Sequence, residues 1–146
     1  MKTGLQAGFA RANINPPMGI DVNGYYVKRN AEGILDDLEV NAVAVRNGDK
    51  TILLMAIDNV GIGTNYPTFM QAISERTSLP IEAIFLHCTH THTGPSTIAP
   101  LGCSKGEGKE QELIDDYRNF LLNRCLDVAT FAIADLKPAK MGYGVG

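Results

Sequence analysis

The sequence predicts an α/β fold: a mixed, largely parallel sheet with flanking helices in a layered sandwich, entered through an N-terminal antiparallel hairpin. Three observations predict it. Residues 38–46 alternate apolar and polar side chains and run into Asn47-Gly48-Asp49, a strong hairpin turn signal. Residues 50–58 and 83–90 are continuous apolar runs, the pattern of strands buried on both faces. Helical periodicity separates and follows those runs, so the later part reads as consecutive strand–helix–strand units with parallel pairing.

Taken in order, residues 5–14 predict a first strand. It ends at Asn15-Pro16-Pro17, where two prolines offer no ladder donor. Residues 16–36, with three glycines, two tyrosines and mixed charge, predict a long loop, and long loops in compact domains are commonly functional. A helix is expected from about Asn65, with Pro67 in its first turn, to Thr77, where Ser78-Leu79-Pro80 stops it. The run 83–90 leads into the histidines, and a Gly-, Ser- and Pro-rich loop follows to about Gly108. The longest helical pattern covers about 110–136. Leu113, Tyr117, Leu121, Cys125, Val128, Ala132 and Leu136 recur there at spacings of three or four. Glu110, Glu112, Asp115 and Asp116 suit its N-terminal dipole. Residues 139–145 read as a final strand.

Composition narrows the function classes. Hydrophobic residues make up 45% and charged residues 20%, an ordinary globular balance, and the length suits one domain, residues 1–146. The net charge of -3, with scattered basic residues, argues against nucleic acid as a partner. No apolar run approaches the roughly 18–20 residues of a membrane span, and the N-terminus lacks the apolar core of a signal peptide. Cys88, Cys103 and Cys125 are odd in number and lack CxxC spacing. They predict a reduced, cytoplasmic setting and no disulfide framework.

Chemistry concentrates in Thr89-His90-Thr91-His92-Thr93-Gly94-Pro95. All three histidines, His87, His90 and His92, lie within six positions. Imidazole is the commonest metal ligand and a frequent general base near neutral pH. In an extended chain, Cys88, His90 and His92 would share one face and His87, Thr89 and Thr91 the other. His90 and His92 are then a candidate chelating pair at a carboxyl end of the sheet, where ligands gather in open α/β folds. The alternative is a pair that merely bonds backbone or threonine hydroxyls. His87 reads as a packed histidine beneath a helix. Asp58, at the end of the preceding run, is either an orienting partner for an imidazole or a turn residue. Cys88 and Cys125 read as buried packing residues, and Cys103 as a loop cysteine with nothing nearby to activate it.

Other signals are weaker. The glycine-rich stretch 102–108 lacks the GxxxxGK[ST] order, and the acids that follow it would repel phosphate. No GxSxG elbow is present, and Ser96 has no evident base partner beyond the histidines. Tyr25, Tyr26, Lys28 and Arg29 are either ligand contacts or a solvated stretch of the long loop.

Several segments, in this order, resemble the N-terminal portion of the catalytic domain of the neutral/alkaline non-lysosomal ceramidase family. They are Ala7-Gly8-Phe9-Ala10-Arg11-Ala12-Asn13-Ile14-Asn15-Pro16-Pro17-Met18-Gly19, then Gly24-Tyr25, Gly33-Ile34 and Pro80-Ile81-Glu82-Ala83-Ile84. Thr89–Pro95 stands against the family's Thr-His-Thr-His-Ser-Gly-Pro. The resemblance spans nearly the whole chain and implies the N-terminal fragment of a longer hydrolase domain. It implies zinc-dependent hydrolysis of an N-acyl amide bond, with a small-molecule or lipid amide as substrate. By position His90 is the implied metal ligand and His92 the implied catalytic histidine beside it. The family's other ligands, a distant histidine, a glutamate and a tyrosine, lie in later segments. Only part of the site is therefore expected here, with zinc bound in the complete protein and this chain alone inactive. The chain departs from the family at Ser96-Thr97, where the family has glycines. The competing expectations are another HxH metallohydrolase, or a non-catalytic domain that binds a ligand or forms a homo-oligomer.

Overall fold

The computed structural model describes residues 4–97 and 108–145. The glycine-rich stretch before Gly108, with Cys103, lies outside the described residues. The strands are β1 (Gln6–Asn13), β2 (Glu39–Asn47), β3 (Lys50–Ile57), β4 (Ile84–Cys88) and β5 (Lys137–Pro138), and the helices are α1 (Tyr66–Thr77) and α2 (Lys109–Ala134). They form one five-stranded sheet in the order β4-β3-β2-β1-β5.

The sheet is mixed, as the sequence predicts, but mostly antiparallel. β1–β2, β2–β3 and β1–β5 are antiparallel, and β3–β4 is the one parallel pair. The β2–β3 hairpin turns at Gly48, which takes a left-handed φ of 64°. The expected run of parallel units stops after β3-α1-β4 because α2 does not return the chain for another parallel strand. Tyr117, near the start of α2, bonds the carbonyl of Ile14 just past the end of β1. Ala132, near the helix end, lies against Gly8 at the start of β1. The helix therefore runs opposite to β1. Only Asp135 and Leu136 separate it from β5, which continues in the direction of the helix and so pairs antiparallel with β1. β5 is also shorter than expected: residues 139–145 form no strand.

Both helices cover the same face. Val40, Ala42 and Ala44 of β2, Leu53, Met55 and Ile57 of β3, and Ile84 and Leu86 of β4 point into one core. Phe69, Met70 and Ile73 of α1 meet them there, as do Ile114, Tyr117, Leu121, Cys125, Val128, Ala129 and Ala132 of α2. Gly8 permits the closest approach: a Cβ there would lie 2.1 Å from the Ala132 carbonyl oxygen. Asp135 then accepts the Phe9 N–H at 3.0 Å, and that bond, with Lys137 beside it, holds its carboxyl below the usual range. Cys125 is wholly buried as expected, its thiol pushed up to about 12 by desolvation.

The opposite face carries no helix among the described residues. Phe9, Ile52, Leu54 and Phe85 are exposed on it. The continuous apolar runs predict burial on both faces, whereas the described residues cover one. His87 belongs to the open face, exposed and stacked near Phe85 with centroids 5.5 Å apart, so it does not lie beneath a helix.

Candidate functional site

β4 pairs parallel with β3, and β1 runs parallel to it as well, because two antiparallel steps separate β1 from β3. The carboxyl ends of these three strands therefore open on one side of the molecule, the position where open α/β sheets gather ligands. The loop after β1, the turn after β3 and the histidine segment after β4 meet there.

The histidine segment is held from both sides. On the β3 side, Thr89 N–H donates to Ile57 O at 2.9 Å and Thr91 N–H to Asn59 O at 3.2 Å. On the β1 side, Asn23 N–H donates to Gly94 O and Thr93 N–H to Asn23 O, both at 2.9 Å, and Val22 pairs with Pro95. Ser96 and Thr97 anchor its end. Both are fully buried, the Ser96 hydroxyl donating to Asn23 Oδ1 at 3.0 Å and the Thr97 hydroxyl to Gly61 O at 3.1 Å. Ser96 is thus a structural tether. Asp21, also buried, has its carboxyl raised above the ordinary range by desolvation, which its bond to Ser96 partly offsets.

β4 ends at Cys88, and the expected extended alternation ends with it. His90 has a φ of 63° and Thr93 a φ of 65°. Left-handed backbone costs a non-glycine residue about 1–3 kcal/mol and persists where surrounding bonds over-determine it. Here the kink at His90 still brings the two imidazoles together, with ring centroids 5.2 Å apart at 60°. His90 Nδ1 lies 3.2 Å from the Val60 carbonyl oxygen. A carbonyl only accepts, so Nδ1 is the donor in this contact, and in a neutral ring Nε2 is then the nitrogen that carries the lone pair.

Asp58 does not orient either imidazole. Its carboxylate accepts the Thr89 hydroxyl and the Glu39 N–H, each at 3.1 Å, and Thr89 continues to Thr91 at 2.7 Å. It is the turn residue of the two readings. The partner of His90 is instead a backbone carbonyl, which no side-chain pattern discloses.

Further features border the two imidazoles. Gly24, with a φ of +101°, packs directly on His92: a Cβ there would fall 2.5 Å from His92 Cγ. Tyr25 meets the His92 ring at 78° with centroids 6.3 Å apart. Asn59 is fully buried, and its Oδ1 accepts the Val60 N–H at 2.7 Å. Among the described residues its Nδ2 has no acceptor. Asn59 was not singled out by sequence; its place just past the buried run 50–58 is the one signal that marks it. Beside Val60 opens a cleft of about 420 Å³ lined also by Tyr66, His87 and Cys88, large enough for part of a small ligand. Cys88 is half-buried, its thiol raised by desolvation.

The donor chemistry of His90 fits a zinc ion, because neutral imidazole with a fixed Nδ1 proton is a common ligand form. The pair alone does not complete such a site. Among the described residues no group of three His, Cys, Asp or Glu side chains stands together to hold a metal.

The architecture has close counterparts among solved structures. The neutral ceramidase of Pseudomonas aeruginosa superposes with a TM-score of 0.70 at 17% identity, over 92% of this chain and 22% of that one. The chain has the fold of a ceramidase segment. A ceramidase complexed with C2 gives a TM-score of 0.67 at 16% identity with the same coverage. This chain thus spans about a fifth of those proteins' length. No family model and no curated protein sequence matches it. No helix among the described residues is long and apolar enough to cross a membrane.

Proposed function

We propose that this chain contributes part of the site of a zinc-dependent hydrolase acting on an N-acyl amide bond, with a small-molecule or lipid amide as substrate. The observation that supports the reading is the His90 Nδ1 contact with the Val60 carbonyl, which leaves Nε2 as the ring nitrogen for a ligand bond, beside a second imidazole. The ceramidase fold supports it at the level of architecture. When bound, zinc would polarise the amide carbonyl and acidify its water. His90 would supply one ligand to that ion. His92 would hold the attacking water or take its proton, a role that imidazole suits near neutral pH. Gly24 and Tyr25 would keep the His92 ring in place. The remaining ligands come from elsewhere than the described residues. Under this reading residues 1–146 are one α/β unit of a longer hydrolase domain, working in a cytoplasmic setting.

Zinc titration by calorimetry tests it. His90→Gln should weaken binding at least about tenfold, while His87→Gln on the open face should not change it. Equal affinity in the unaltered chain and His90→Gln would refute the assignment. A second reading, a homo-oligomerising unit, draws on the open apolar face with Phe9, Ile52, Leu54 and Phe85. Sedimentation of the unaltered chain against Phe85→Glu tests that one: equal mass for both, at the monomer value, would refute it.

A further inference from the structure

The loop that packs on His92 also carries a cation that the hydrolytic reading does not use. Residues 21–30 close on themselves through the Asp21–Asn30 pairing and the Val22 N–H bond to Arg29 O at 3.0 Å. That closure fixes where Arg29 leaves the loop. Its guanidinium carbon stands 4.4 Å over the centre of the Tyr25 ring, and the Tyr25 ring in turn meets that of His92 edge-on. The neighbouring Lys28 is paired with Glu110 at 2.7 Å. Among the described residues Arg29 has no carboxylate within ion-pair distance. The buried acid of the same loop, Asp21, engages Ser96 instead.

We propose that Arg29, seated on Tyr25, recognises an anionic group, a carboxylate, on the amide that meets His92. The substrate class is then N-acyl amino acids in preference to neutral N-acyl amides. The inference rests on the amide-hydrolase reading and narrows its substrate. Guanidinium is suited to the task. Its planar fork matches a carboxylate with two parallel hydrogen bonds, and stacking on an aromatic ring pre-orients that fork. The group is exposed, so solvent screens it. The expected contribution to affinity is about three- to tenfold, shrinking as salt is raised.

The test is a titration of the full chain, followed by NMR, with N-octanoylglycine and with its neutral counterpart N-octanoylglycinamide. The expected result is that the carboxylate binds at least about threefold more tightly. It should move the Arg29 Nε–H, Tyr25 ring and His92 ring signals together. Arg29→Gln should bring the two affinities level by weakening the carboxylate, and Arg29→Lys should keep only part of the preference. Equal affinities in the unaltered chain, no binding of either probe, or a preference that survives Arg29→Gln would overturn the proposal. Zinc titration of the unaltered chain reports separately on the underlying reading. Zinc binding without a carboxylate preference removes the role of Arg29 alone. A carboxylate preference that persists while zinc affinity is the same in the unaltered chain and His90→Gln removes the ligand role of His90 and leaves Arg29 as a carboxylate site without the hydrolase reading.

Discussion

Replacing Gly24 with alanine probes how the long loop and the histidine segment depend on one another. Two costs arise at one position. The backbone there has a φ of +101°, a region that L side chains rarely adopt, at about 1–3 kcal/mol. The new methyl would also stand 2.5, 2.6 and 2.9 Å from His92 Cγ, Nδ1 and Cβ. His92 is exposed and its ring can turn away, so the steric conflict is expected to displace the imidazole more than to unfold the chain. At roughly 3 °C per kcal/mol for a chain of this size, Gly24→Ala should lower the Tm by roughly 3–9 °C. The His92 ring resonances should shift more than those of His90, which is held by Val60 on the other side. Thermal denaturation and histidine ring NMR read the two effects. An unchanged Tm together with unmoved His92 signals would refute the close packing of this loop on the site.

Gly8→Ala is expected to be more damaging, by about 3 kcal/mol or more in urea denaturation. Its three nearest obstacles, at 2.1–2.9 Å, are all backbone atoms of Ala132, Asp135 and Leu136, which cannot rotate aside. Tyr117→Phe removes a buried 2.7 Å bond and strands the Ile14 carbonyl, so unfolding measurements should show a loss of about 1–2 kcal/mol. Asp21 titrates in the opposite sense to a salt-bridged acid. Its folded carboxyl holds its proton more tightly than the unfolded one, so its contribution is greatest at low pH and is lost as pH rises through the raised folded value. Asp21→Asn should therefore gain stability relative to the unaltered chain as pH rises from the ordinary carboxylate range towards 7. A difference that stays flat over that range would contradict the burial argument.

Much of the architecture is legible in the sequence because it depends on local pattern. The turn at Asn47-Gly48-Asp49, the alternation of β2, Pro67 near the start of α1 and the three-and-four spacing of α2 each specify a segment by themselves. The parallel count is not of that kind. It depends on where α2 delivers the chain, and a two-residue link to β5 reads in the sequence much like a longer return. Apolar runs likewise report that both faces avoid water without saying what covers the second face, and here Phe9 and Phe85 remain open on it. The site divides in the same way. The closeness of His90 and His92 follows from spacing, but the reason given by strand alternation does not hold, because His90 turns through a left-handed conformation. Asp58 looked able to orient an imidazole from its position in the chain. The fold assigns that task to the Val60 carbonyl, and a backbone group leaves no mark on a side-chain pattern. Gly24 against His92 is a contact across 68 positions, visible only once the loop is folded over the segment.

Under the zinc-hydrolase reading, His90 presents Nε2 as a metal ligand beside His92. Nitrogen-15 NMR of the histidine rings, recorded as zinc is added, tests it most directly. Expected are a proton on His90 Nδ1 before zinc and a selective shift of its Nε2 on titration, with the His87 ring unaffected. A His90 ring protonated on Nε2, or zinc-induced shifts at His87 but not at His90, would contradict it.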